Sequence, residues 1–182
     1  MKLKIVVFTL LATVGLTGTA IAQELKIGHA NIDLIISLMP ETQTMQTQLQ
    51  TFQQKLGEQL KVKEEYAQAK YMEYLEKKEG GATEASLKPL EDELIKLDGE
   101  IRQYTSESED KLMAKRQTLM QPIVEKLQGN IETLAKEGGY TYILNSVDGS
   151  GVSVVLHGPE QSNVTEQLAK KMGLALPAEA QN

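Results

Sequence analysis

The stretch SLKPLEDELIKLDGEIRQY, residues 86–104, carries apolar side chains at Leu87, Leu90, Leu94, Leu97, Ile101 and Tyr104. Steps of three and four keep one side of an α-helix against a partner, as in a coiled-coil seam. Upstream, Met45, Leu49, Phe52, Leu56 and Leu60 repeat the spacing, and Ala67, Tyr71 and Leu75 continue it. Between the two stripes lies Lys78-Glu79-Gly80-Gly81-Ala82-Thr83, a chain breaker flanked by charges. One breaker between two seams predicts a long antiparallel helical hairpin over residues 42–137, with its tip near 78–85. At 1.5 Å per residue its helices run roughly 55 Å and roughly 75–80 Å, too long to close into a compact globule. The hairpin is therefore expected to project as an arm. Ser86 is the expected N-cap of the second helix, with Pro89 in its first turn, where a missing N–H costs nothing. Pro122 removes an internal hydrogen bond, so a kink in the arm is expected there; Ile123, Leu127, Ile131 and Leu134 carry the stripe beyond it.

Outside the hairpin the pattern changes. Leu25 to Asn31 reads as a strand weakened by Gly28, and Ile32 to Met39 as one or two helical turns ended by Pro40. Glu137-Gly138-Gly139 stops the second helix. YTYILN (140–145) and VSVVL (152–156), separated by a segment containing Asp148-Gly149-Ser150-Gly151, read as a β-hairpin. Asn163 caps a short helix bearing Val164, Leu168 and Met172, and residues 177–182 form a polar tail. Residues 23–41 and 138–176 thus make a split body of about sixty residues, near the lower limit for an independent core. The fold class is α+β, predominantly α: a coiled-coil arm on a small β-sheet body completed by oligomerisation.

The first 22 residues have the pattern of a removable export signal. Lys2 and Lys4 precede an apolar run from Ile5 to Leu16, and Ala20-Ile21-Ala22 is a small-x-small cleavage site. Cleavage between Ala22 and Gln23 leaves a soluble, exported chain with no transmembrane segment. No cysteine is present, which excludes a lipoprotein signal, disulfides and thiolate chemistry. Taking Lys2 and Lys4 from 19 basic against 25 acidic residues leaves a net charge of −8, the wrong sign for nucleic acid or an anionic membrane.

No constellation points to catalysis, a cofactor or a metal. His29 and His157 have no carboxylate at ligand spacing, and no phosphate-binding loop or nucleophile elbow occurs. His29 shares a strand face with Leu25 and Ile27 and reads as a partly buried structural histidine. The acid clusters alternate with lysines and read as solvated faces. One feature stands apart. With Leu60 as reference, Val62, Tyr66 and Ala69 lie roughly 180–240° around the first helix, away from the seam. On the second helix Ile95, Met113 and Met120 share a direction about 100° off the seam. With Met72, these sparse Tyr, Val, Ile and Met side chains suit adaptable, low-specificity contact with a client chain; a wider packing face is the alternative.

The order of elements resembles the Skp/OmpH family of periplasmic chaperones. The resemblance rests on Lys26-Ile27-Gly28-His29-Ala30-Asn31, on Gln121-Pro122-Ile123, and on Gly139-Tyr140-Thr141-Tyr142-Ile143-Leu144-Asn145. Asn163-Val164-Thr165, with Leu168 and Met172-Gly173-Leu174, is similar to the family's terminal segment. The resemblance implies a homotrimer in which three arms enclose a cavity holding unfolded outer-membrane β-barrel proteins in the periplasm without ATP. It does not carry over a lipopolysaccharide contact, because residues 70–93 hold four basic and seven acidic groups. The rival reading is a structural or adaptor coiled coil bridging two envelope complexes.

Overall fold

The computed structural model describes residues 25–177; the expected export signal, its expected cleavage site at Ala22–Gln23 and residues 178–182 lie outside the described residues. In chain order the elements are strand β1 (Ile27–Ala30), helix α1 (Ile32–Leu38), helix α2 (Pro40–Glu79), helix α3 (Glu84–Gly138), strand β2 (Tyr142–Asn145), a 3-10 turn (Glu160–Ser162) and helix α4 (Thr165–Lys171).

Helices α2 and α3, of 40 and 55 residues, pack side by side and antiparallel. Their cross-contacts converge on the turn: Lys126 reaches Glu41, Tyr104 Oη donates to Gln59 at 2.7 Å, Lys63 meets Glu100 at 3.5 Å, and Lys70 meets Glu93 at 3.4 Å. Leu87 and Leu90 are buried, and Leu94, Leu97, Ile101 and Tyr104 half-buried, as the spacing predicts. On α2, Met45 and Leu56 are buried, but Tyr71 is half-exposed, and Tyr74 faces α3 with its hydroxyl donating to Glu91 at 3.1 Å. The seam drifts because a helix of 3.6 residues per turn slips against a strict 3.5 repeat.

Three boundaries differ from the sequence reading. Pro40 does not merely end α1; it opens α2 at its first position, where it lacks nothing. Helix α3 begins at Glu84 with Thr83 before it, and the Ser86 hydroxyl donates back to the Thr83 carbonyl at 2.7 Å, so Ser86 lies in the first turn instead of capping it. Pro89 consequently sits inside the helix, where it forfeits the bond to the Ala85 carbonyl. Helix α3 continues through Pro122 to Gly138. Gly139 then takes φ 65°, and the Tyr140 amide donates to Ala135 at 2.9 Å, closing the helix end. Gly139→Ala is expected to lower stability by about 1 kcal/mol, since no neighbouring atom crowds the position and only the backbone conformation opposes a Cβ. Thermal unfolding of the two proteins checks this.

The core lies where both helices meet the rest of the chain. Ala30, Ile35, Leu127, Leu134, Val164, Leu168 and Ala169 form one cluster, and Met39, Met45 and Ile123 a second. The sheet is two parallel strands with Ile27 opposite Tyr142 and His29 opposite Leu144. The face of β1 that is buried carries Gly28 and Ala30, not Leu25 and Ile27. Gly28 lets the Tyr140 ring pack close: a Cβ there would stand 3.1 Å from the ring, which would have to shift.

The expected β-hairpin does not form. The pairing is limited to one antiparallel bridge just past the first run, Val147 with Ser153, where the Asp148 amide donates to Val152 and the Val154 amide to Ser146. Asp148 Oδ1 accepts from the Ser150 and Val152 amides, both at 2.9 Å, so the loop captures donors that a ladder would use. Val152, Val154 and Leu156 are left exposed. The asparagines act as fasteners. Asn31 Oδ1 caps α1 through the Leu34 amide at 3.0 Å, Asn145 Oδ1 accepts from Ile32 at 3.1 Å, and Asn163 Oδ1 accepts from the Thr165 amide at 3.0 Å.

Candidate functional site

The residues picked out along the helical pair fall on two different flanks. Val62 and Tyr66 are exposed, but they are not opposite the seam. Together with Lys63, Leu97, Glu100 and Ile101 they line a shallow groove of about 230 Å³ along one shoulder of the pair. The seam of α2 runs through Leu56, Leu60, Lys63, Ala67 and Lys70, and at 100° per residue Val62 and Tyr66 lie about 80–120° to one side of its mean direction. The Tyr66 hydroxyl donates to Glu93 on α3 at 3.1 Å, and this carboxylate holds the phenol above its usual pKa. Ala69 and Met72 are exposed farther along α2.

On α3, Ile95 and Met113 are 72% and 71% exposed, while Met120 is half-buried. Met113 and Met120 line a groove of about 510 Å³ with Arg116, Gln117 and Val124. Val124 was missed by the sequence reading, although it lies eleven residues after Met113 and so points within about 20° of it.

Around these strips several carboxylates pair with a lysine or arginine of the same chain. Glu73 accepts from Lys77 and Lys70, which holds its carboxyl below the usual range and raises Lys70 in turn. Asp92 pairs with Lys88, Asp98 with Arg102, and Glu107 with Lys111. These exposed pairs add little stability, yet they leave the apolar side chains among dipoles instead of free charges.

A third open apolar surface lies on the sheet. Ile27, Tyr142 and Leu144 are exposed on the face opposite Gly28 and Ala30, and His29 stands half-buried among them with its Nδ1 buried and unpartnered. His157 belongs to the neighbouring groove wall, with Leu25, Val155 and Gly158. Among the described residues, no helix is long and apolar enough to cross a membrane.

The family model described as outer membrane protein (OmpH-like) matches residues 26–172, from β1 to the end of α4. The chain belongs to the OmpH-like family. That family is one of periplasmic chaperones that bind outer-membrane proteins and is not a family of enzymes. No curated protein sequence matches the chain.

Proposed function

We propose that this chain is an ATP-independent holdase of the periplasm, exported by a signal removed between Ala22 and Gln23. Three copies join through bodies built from residues 23–41 and 138–176. Their arms, residues 42–137, enclose a cavity in which an unfolded outer-membrane β-barrel protein is held. Val62, Tyr66, Ala69, Met72, Ile95, Met113 and Met120 touch the client, and Pro122 sets the kink from which each arm leaves the body.

The observation that carries this reading is the pair of exposed apolar strips on otherwise charged helices, in a chain of a chaperone family. A hairpin of two helices needs one apolar seam; it gains nothing from Val62, Ile95 or Met113 in water. Many small, separate contacts hold a non-native chain without fixing its conformation, and Met and Tyr adapt to varied partners. The open sheet face supports oligomerisation, because a two-stranded sheet needs further partners to be stable. The acidic tip speaks against a lipopolysaccharide contact.

The test is direct. An outer-membrane β-barrel protein unfolded in urea and diluted into buffer should stay clear in the presence of the mature chain and without nucleotide. Turbidity equal to that of the client alone would overturn the reading. Capture of one folded envelope protein at fixed stoichiometry would put an adaptor in its place.

A further inference from the structure

Charge is not spread evenly along the helical pair. Residues 42–54 of α2 hold no ionisable side chain, and residues 112–124 of α3 hold Lys115 and Arg116 but no carboxylate. The two stretches face each other: Met45 packs with Ile123, and Leu49, Leu119 and Met120 pack against them. The end of the pair nearest the body is therefore a band with two positive charges in a chain whose net charge is −6. Residues 70–93, at and before the far end, hold four basic and seven acidic groups.

The two cations are not used up inside the chain. Lys111 pairs with Glu107 and Lys126 with Glu41, but among the described residues neither Lys115 nor Arg116 meets a carboxylate. Lys115 is half-buried, while Arg116 is exposed in the groove of Met113, Met120 and Val124. The carboxylates nearest to Arg116 along α3 are Glu109, Asp110 and Glu125, and Glu125 accepts from the Gln121 amide at 2.9 Å. At 1.5 Å per residue they stand roughly 9–14 Å from Arg116 along the axis. That is about one screening length or more at physiological ionic strength. The acidic groups from Glu84 to Glu93 lie roughly 35–50 Å away and are screened out.

What surrounds Arg116 suits one kind of guest. Met113, Met120 and Val124 supply adaptable apolar contact, and methionine sulfur favours aromatic rings. The guanidinium presents a planar fork to a carboxylate. The six glutamines of residues 42–54 are exposed, and each can donate to and accept from the peptide groups of an extended chain.

We propose that this band near the body, and not the turn, receives client segments in which a carboxylate stands beside apolar or aromatic side chains, with Arg116 as the residue that selects them. The proposal rests on the holdase reading above and gives it a substrate class. Apolar contact in the groove holds the segment, and Arg116 sets the preference. An exposed ion pair of this kind shifts affinity by about two- to five-fold.

The test uses two labelled peptides of alternating Val, Thr and Tyr, one with Asp and one with Lys at the same positions. Titrated against the mature chain by fluorescence anisotropy, the Asp peptide should bind about two- to five-fold tighter, although the net charge of the chain favours the Lys peptide. Arg116→Glu should cancel or reverse the preference and Arg116→Lys should keep it, with helicity by circular dichroism unchanged in both. Arg116→Gln should cancel it without adding a carboxylate. At 1 M salt, where screening shortens to about 3 Å, the preference should vanish while both peptides stay bound. Because the chain has no cysteine, Gln117→Cys carrying a photo-crosslinker should capture the Asp peptide, and Thr83→Cys at the turn should not. Tighter binding of the Lys peptide to the unsubstituted chain, a preference unmoved by Arg116→Glu and Arg116→Gln, or capture at Thr83 alone would overturn the proposal. Binding of neither peptide would overturn it too, and the turbidity assay decides separately whether the holdase reading stands.

Discussion

Leu144→Asp is expected to turn the proposed trimer into monomers while leaving the long helices intact. Leu144 stands opposite His29 on the sheet face that the subunit leaves open, and it is 47% exposed. Within one chain a carboxylate there still reaches water, so folding loses little. In the proposed trimer this open face, with Ile27 and Tyr142, is where copies would join, and three carboxylates there would be taken out of water together. Each unpaired buried charge costs several kcal/mol, enough in total to abolish association at micromolar concentration. Light scattering coupled to size exclusion should give three times the subunit mass for the unchanged chain and the subunit mass for the variant. Circular dichroism should be the same for both, since α2 and α3 are held by their own seam. A trimeric variant would place the interface elsewhere, with the exposed Val152, Val154 and Leu156 as the next surface to change. Because the proposed cavity is enclosed by three arms, the monomer should also lose most of its ability to keep a client clear.

What could be read in the sequence, and what could not, divides by the range of the interaction. The seam from Leu87 to Tyr104, the turn at Gly80-Gly81 and the stop at Gly139 are local patterns, and each is where the spacing and the glycines put it. Sheet pairing is not local. The runs 140–145 and 152–156 have the composition of strands, but composition says nothing about which neighbour accepts the hydrogen bonds. Here β2 pairs in parallel with β1, more than a hundred residues upstream, and Asp148 takes the first donor of the second run, the Val152 amide. Val62 and Tyr66 sit on a shoulder instead of opposite the seam because the direction of Leu60 alone differs by about 40° from the mean of the seam residues. The candidate residues are nonetheless exposed, because sparse apolar groups among lysines and glutamates show up in sequence whichever way the helix turns. Met120, half-buried, is the weakest of them. Val124 and the open face of the sheet become visible only when the neighbours that fail to cover them are known.

Changing Val62, Tyr66 and Met113 together to Ser should strongly weaken the suppression of client aggregation with helicity and trimerisation retained. All three are off the seam and exposed, Val62 at 65% and Met113 at 71%, so their removal opens no cavity. Differences in helix propensity among these residues sum to less than about 1 kcal/mol. The bond from Tyr66 to Glu93 is an exposed one and adds little to stability. What the variant loses is apolar area offered to a client, roughly 25 cal/mol for each Å² that a client would have covered. Raising the salt separates this from capture by charge. Screening shortens from about 10 Å at 0.1 M to about 3 Å at 1 M, which suppresses attraction between exposed ions and leaves apolar contact untouched. The chain carries a net charge of −6, of which its signal contributes two positive groups, so an acidic client has no global attraction to lose. Suppression by the unchanged chain should therefore survive 1 M salt, and the triple variant should stay impaired at every ionic strength. Undiminished suppression in the variant would move the client face to Met120 and Val124 or to the body. Suppression that collapses with salt would instead make the unpaired cations beside Met113, Lys115 and Arg116, the groups that hold the client.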